Sequence, residues 1–251
     1  MTSALRNTGI EPVGDMPWGT HFCHFYETTA DLLETLVPFF KAGLQSNELC
    51  AWVVSEPLTE DEAWQALDRA VPRLNRYVFD RSIEVLNARE VYLAGGQIDL
   101  HRIVGNWNSK LNGALSRRYQ GIRVSGNTAW VGHQQWANFM EYEAEVNRRV
   151  SGQPMVLLCT YPLTEKAALH DVTRTHQFAV AKRRGHWEVV EAPKHRRPSS
   201  RPSRRGTSGI VRAAIKGTLA SLSAYARHAE YAGRCSDCGR GFVIGAPLRG
   251  A

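Results

Sequence analysis

The sequence predicts an α/β fold, a three-layer, doubly wound sheet of mostly parallel strands. Two observations carry this. Short runs that are apolar on both faces recur along the chain, as in residues 49–54 (LCAWVV) and 155–161 (MVLLCTY). Between such runs lie longer segments whose apolar residues repeat at helical spacing. Strands buried on both faces and alternating with helices make a parallel sheet covered on both sides. Right-handed crossovers then give the doubly wound form, with ligands at the carboxyl ends of the strands.

Each element has its own signal. Residues 22–26 form an aromatic-rich first strand after Gly19. A helix follows over 29–42, with Thr28 and Thr29 as N-cap candidates and Gly43 as its stop. Its broad apolar face holds Leu32, Leu33, Leu36, Val37, Phe39 and Phe40, and Pro38 inside it argues for a kink. Residues 49–54 are a strand, and 59–71 a helix whose first-turn acids complement the helix dipole. Residues 82–86 form the next strand. The helix over 99–119 steps through Ile103, Trp107, Leu111, Leu115 and Tyr119 at four-residue intervals. A strand at 122–125, a helix at 134–150 and the most apolar strand, 155–161, come next. A helix at 164–176 and an edge strand at 186–190 close the series.

The chain has 251 residues, with 31 Lys+Arg against 24 Asp+Glu, for a net charge of +7. An isoelectric point near 9.3 suggests a nucleic-acid partner, provided a folded surface carries the charge. It does not lie on the body. Residues 192–251 hold 12 of the basic residues and 2 of the acids, a segment charge of +10 that leaves the rest at −3. The organisation expected is a flexible N-terminus (1–17), a folded domain (18–191), a disordered basic linker (192–209) and a tail (210–251). The tail combines a short basic amphipathic helix with a Cys-x-x-Cys turn.

Five cysteines, an odd number, are not a disulfide framework. Cys23, Cys50 and Cys159 sit in apolar runs and read as reduced, buried thiols. Cys235 and Cys238 have the turn geometry of a zinc knuckle, but only His228 stands nearby as a third ligand where four are needed. No stretch approaches the roughly 18 apolar residues of a membrane span. The N-terminal residues lack the charged start and apolar core of a secretory signal. A cytoplasmic protein without membrane association is expected.

Neither Gly-x-x-x-x-Gly-Lys-Ser/Thr nor Gly-x-Gly-x-x-Gly occurs, and the turn after the first strand, residues 26–31, has no glycine. That argues against an ATPase or a dinucleotide enzyme. The densest cluster of reactive groups is residues 21–26 (HFCHFY). Strand alternation puts His21, Cys23 and Phe25 on one face and Phe22, His24 and Tyr26 on the other. A thiol beside an imidazole serves an activated nucleophile or a pair of metal ligands, and equally a core strand with satisfied imidazoles. Strand geometry favours the core strand. Cys159 and Tyr161 end the strongest strand, in reach of the rim that holds Tyr26, while Trp130 follows a glycine turn and suits a pocket wall. Glu141 and Glu145 share a helix face and read as solvated.

Several stretches together resemble one family. They are His21-x-Cys23-x-Phe25-Tyr26-Glu27 with Asp31-Leu32, Gly43-Leu44 with Glu48 and Cys50, and Gly121-x-Arg123-Val124-x-Gly126 with Trp130. Glu141-Tyr142-Glu143, Asn147, Leu158-Cys159-x-Tyr161 and His176 also fit. The sequence from about 18 to 190 thereby resembles the MEDS domain, named for methanogen and methylotroph sensory proteins that include a dichloromethane-responsive repressor. The resemblance implies a RecA-like α/β fold without a working phosphate loop, used to sense small hydrocarbon derivatives. By the same resemblance His21, Cys23 and Cys159 are the sensing residues, with Tyr26, Arg123 and Trp130 as secondary candidates. Family members carry output modules, such as a helix-turn-helix, a histidine-kinase-like ATPase or an anti-sigma ATPase, and none is recognisable after Glu191.

The expected function is a non-catalytic sensory or regulatory domain that binds a small molecule, without a resident cofactor in the body. It would signal through a partner protein: a histidine kinase, an anti-sigma factor or a transcription factor. The alternative is a DNA-associated regulator whose basic tail, residues 192–251, contacts phosphates. A cysteine-dependent enzyme ranks below both, because neither a base nor an orienting group is identifiable beside Cys23 or Cys159.

Overall fold

The computed structural model describes residues 5–163, 166–190, 232–234 and 241–243. Its centre is a seven-stranded sheet of β3 (Thr20–Tyr26), β4 (Leu49–Val54), β5 (Ile83–Asn87), β6 (Ile122–Asn127), β7 (Met155–Pro162), β8 (Ala179–Arg183) and β9 (His186–Val190). Before it, β1 (Leu5–Asn7) and β2 (Asp15–Pro17) pair antiparallel as a hairpin. Strand order in the main sheet is β5-β4-β6-β7-β3-β8-β9, parallel throughout except for β8 with β9 at the edge. Far along the chain, β10 (Ala232–Arg234) and β11 (Gly241–Val243) pair antiparallel with each other.

The helices are α1 (Thr29–Gln45), α2 (Glu60–Ala70), α3 (Leu74–Phe79), α4 (Ala88–Tyr92), α5 (Leu100–Ser116), α6 (His133–Val150) and α7 (Lys166–Thr175). They divide into two outer layers. Leu32, Leu36, Phe39 and Phe40 of α1 and Ala63 and Leu67 of α2 pack on Phe22, Trp52, Val54 and Leu158 of the sheet. Ile103 and Trp107 of α5 and Phe139, Tyr142 and Val146 of α6 cover the other face, on Cys23, Val53, Val124, Leu157 and Cys159. Residues on each strand go alternately to the two cores, as the pleat requires. The predicted three-layer, mostly parallel α/β architecture is therefore the observed one. No helix among the described residues is long and apolar enough to cross a membrane.

Residues 5–17, expected as a flexible N-terminus, carry the β1–β2 hairpin. Ile10 and Met16 are buried, Arg6 bonds Glu48 at 2.8 Å and the Ser46 carbonyl at 2.9 Å, and the hairpin is thereby held to the end of α1. Strand β8 was not expected: the run AVAKR is short and half polar, yet it occupies the sheet interior beside β3. The linker 192–209, the basic helix proposed after it, and Cys235 and Cys238 lie outside the described residues.

Helix α1 also runs past its predicted stop, through Pro38 and Gly43 to Gln45. Gly43 serves a close approach rather than a cap. A Cβ there would lie 2.8 Å from Arg123 Cδ and 2.9 Å from Cys50 Sγ. Gly43→Ala therefore gains helix propensity of about 1 kcal/mol but overpacks the site, at a cost of about 1–3 kcal/mol. A net loss of stability in urea denaturation is the expected result. A gain would show that Arg123 withdraws freely.

Candidate functional site

On β3 the alternation read from the sequence holds. His21, Cys23 and Phe25 face α6, while Phe22, His24 and Tyr26 face α1. Parallel register sets Cys23 beside Cys159 of β7 and His21 beside Leu157. From this face His21 Nε2 stands 3.3 Å from Cys159 Sγ and 3.1 Å from Glu143 Oε2 of α6. Cys159 Sγ reaches the same carboxylate oxygen at 3.5 Å. His176, which follows α7, brings its Nε2 to that oxygen at 3.3 Å. The two imidazole rings lie 4.1 Å apart, tilted by 38°. Three elements and a loop thus converge on one oxygen of Glu143, and all four side chains are buried.

Burial and mutual charge set the protonation. Burial, helped by the neighbouring His176, lowers His21 to about 4, against the pull of Glu143 and of the nearby Asn147 side chain. Burial alone would raise Glu143; the His176 and His21 imidazoles beside it overcome that and hold the carboxyl at about 2. At neutral pH Glu143 is ionised and His21 neutral. Burial also pushes the thiols of Cys23 and Cys159 well up, and the Glu143 charge adds to this. His176 Nδ1 donates to the Val172 carbonyl at 2.8 Å, which turns Nε2 onto the carboxylate. Glu143 Oε1 and the Tyr161 hydroxyl are buried here without a hydrogen-bond partner in the protein.

The sequence-derived candidates separate into two groups. His21, Cys159 and Tyr161 meet at the cluster, with the Tyr161 ring edge-on to His176 at 5.7 Å. Cys23 is on the same face, its thiol towards the Phe178 carbonyl at 3.8 Å. Trp130 is on this side too, stacked on Tyr92 at 5.2 Å and set edge-on to Phe139. Tyr26 and Arg123 are on the opposite face. Tyr26 donates to Asn127 Oδ1 at 3.1 Å, and burial, partly offset by that bond, raises its phenol to about 12. Arg123 is sealed against Glu48, with Nε 2.6 Å from Oε2. The shared rim expected for Tyr26 and Cys159 is thus replaced by a site under α6, built around the second residue of β3 and the middle of β7.

Glu143 and His176 matched the family pattern, yet the residue-level reading gave neither a role. Glu143 had a legible signal. On α6 the buried stripe runs Phe139, Tyr142, Glu143, Val146, Val150, so this carboxylate sits in the middle of an apolar face. His176 had none, because it lies in the short connection between α7 and β8.

At the β3–α1 turn, where doubly wound folds hold phosphate, the chain supplies its own anion. Asp31 accepts from the backbone N–H groups of Thr28 and Arg184 at 3.0 Å and of Gly185 at 2.7 Å. Burial opposes ionisation, but these bonds win and lower its carboxyl.

The family described as the methanogen/methylotroph DcmR sensory domain, MEDS, matches residues 20–177. The chain belongs to the MEDS family. All four residues of the cluster fall inside the matched segment, which starts with β3 and ends one residue past His176. Membership supports a sensory or regulatory role for this MEDS chain. Among solved structures, a KaiC-like protein from Pyrococcus horikoshii OT3 is similar with a TM-score of 0.50 and 10% identity, over 77% of this chain and 84% of that one. The flagellar accessory protein FlaH from Methanocaldococcus jannaschii gives a TM-score of 0.43 and 10% identity, over 71% and 79% of the two chains. At such identity the first likeness shows the fold alone, a RecA-like α/β sheet. A comparison with curated proteins finds no match.

Proposed function

We propose that this MEDS chain is a non-catalytic sensor that binds a small, hydrocarbon-derived molecule at the cluster under α6 and signals through a partner protein. One observation carries the reading. Glu143 Oε1 and the Tyr161 hydroxyl are buried polar atoms without a protein partner, beside His21, Cys159 and His176 and within an aromatic shell of Tyr161, Phe139 and Tyr142. Unmet polar groups in a dry interior cost about 1–3 kcal/mol each, and a ligand that satisfies them recovers that energy. The raised thiols of Cys23 and Cys159 weigh against nucleophilic chemistry, which needs thiolate at neutral pH. The Asp31 plug at α1 weighs against nucleotide binding. The basic segment 192–251, at +10, suits contact with an acidic partner surface or with nucleic acid.

Thermal-shift measurements of the full chain with small halogenated and one-carbon compounds test the sensory reading. A ligand at about 100 times its Kd stabilises by about 2.7 kcal/mol, a rise in Tm of roughly 5–10 °C at this size. The rise should vanish in Cys159→Ala. If no compound shifts the wild type, or the variant responds equally, the reading fails.

A gel shift on random duplex DNA tests the tail. Removal of 192–251 should abolish any retardation, and retardation at low salt should weaken steeply as salt rises. Equal retardation by the truncated body would assign the contact elsewhere.

A further inference from the structure

We infer that His21, Glu143, Cys159 and His176 bind one divalent transition-metal ion, with zinc the best fit to the donor set. The inference takes its site from the sensory reading and deepens it. Each residue offers one ligand atom, and these four atoms lie within 4.8 Å of one another. A tetrahedral ion with bonds of about 2.0–2.3 Å sets its ligand atoms about 3.3–3.6 Å apart. Among His21 Nε2, Cys159 Sγ, Glu143 Oε2 and His176 Nε2, the four direct contacts are 3.1, 3.3, 3.3 and 3.5 Å. Four of the six edges are thus close to those of a coordination tetrahedron, and the other two, from His176 to His21 and to Cys159, need the His176 ring to move inward by an ångström or so at most.

The chemistry agrees with the geometry. Two imidazoles, a thiolate and a carboxylate are all established zinc donors, in a set that disfavours the hard ions magnesium and calcium. Their formal charges, one from Glu143 and one from a Cys159 thiolate, cancel a dication, so the loaded site is neutral in a fully buried place. Loading expels the Cys159 thiol proton to solvent as the metal–sulfur bond forms.

One orienting group is in place as well. The bond from His176 Nδ1 to the Val172 carbonyl, 2.8 Å, fixes the ring so that Nε2 presents its lone pair inward. Asn147 lies one helical turn beyond Glu143, and the outer nitrogen of the His21 ring, Nδ1, is buried without a hydrogen-bond partner among the described residues. Without a cation or a proton between them, the His176 lone pair and the Glu143 oxygen would face each other at 3.3 Å.

The test uses the full chain with Cys235→Ser and Cys238→Ser, so that the tail thiols do not contribute. After chelator stripping, cobalt(II) titration should saturate at one equivalent, with the visible bands of a tetrahedral site and a near-ultraviolet sulfur-to-cobalt band. Zinc should bleach both. Cys159→Ser should lose the sulfur band. Zinc X-ray absorption of the parent protein gives the ligand set even if a variant fails to fold; a shell without sulfur would overturn the proposal. So would the absence of stoichiometric cobalt binding, or a sulfur band that survives Cys159→Ser. The two readings separate cleanly. One-to-one metal binding without any small-molecule response sinks the sensor and keeps the metal, whereas a ligand response in protein that takes up no metal does the reverse.

Discussion

Arg123→Met is expected to lower the free energy of unfolding by about 3–5 kcal/mol, because it strands a buried charge. Arg123 and Glu48 are both fully buried. The guanidinium donates to Glu48 through Nε at 2.6 Å and Nη2 at 3.2 Å, to the Phe39 carbonyl at 2.7 Å and to the Asn7 carbonyl at 2.9 Å. It also lies 4.7 Å from the centre of the Phe39 ring. One side chain from β6 thereby fastens the N-terminal hairpin, α1 and the start of β4 together. Methionine fills most of the volume but supplies no donor, so two carbonyls and part of a carboxylate lose their partners. Arg6 remains on Glu48 and limits the damage. Adding Glu48→Gln should recover part of the loss, since it removes the stranded charge, and this positive coupling is what a double-mutant cycle reads. A loss under about 1 kcal/mol in the single variant would mean that the clamp is not a principal tie of the fold.

That clamp also explains a limit of sequence reading. The motif Gly121-x-Arg123-Val124-x-Gly126 is recognisable as a pattern, but the pattern does not say which face of the sheet Arg123 takes. Strand parity would have said so, for Arg123 alternates with Ile122 and Val124, which face α5 and α6. The strands LCAWVV and MVLLCTY were legible because central parallel strands are apolar on both faces, and these runs are too short for a buried helix. Strand β8 was not, because its Lys182 is polar yet buried, held by Glu34 at 2.6 Å across the face of α1. The first hairpin escaped because three-residue strands carry no period. At the site, His21 and Cys159 were visible as reactive groups in apolar strands. Their meeting depends on the pairing of β3 with β7, strands separated by six helices and three strands in the chain, and on a carboxylate delivered from a third element. Long-range pairing of that kind leaves no local trace.

The other large effect is acid sensitivity on the α1 side of the sheet. His24 is buried between β3, α1 and β9, with Thr35 Oγ1 at 3.4 Å and the Trp187 ring at 5.6 Å. Burial lowers its pKa to about 3; Asp31 on α1 pulls it upward and Lys182 on β8 pushes it down. Because the folded value lies below the unfolded one of about 6.5, the unfolded chain takes up a proton that the folded chain refuses. Stability is therefore complete above pH about 6.5 and falls as acid is added, until both states are protonated near pH 3. Each pH unit in that window removes up to about 1.4 kcal/mol. His21, at about 4, and Glu143, at about 2, act in the same direction, so the wild-type curve is steeper than His24 alone would make it. The difference between wild type and His24→Leu isolates the one group. Urea denaturation at pH 7 and at pH 4.5 should show the variant losing about 2–3 kcal/mol less than the wild type. Thr35 keeps its bond to the Asp31 carbonyl at 2.8 Å, so the substitution orphans no hydroxyl. Parallel curves would place His24 in contact with water or with an anion in the folded protein, and would contradict a sealed interface between α1 and β9.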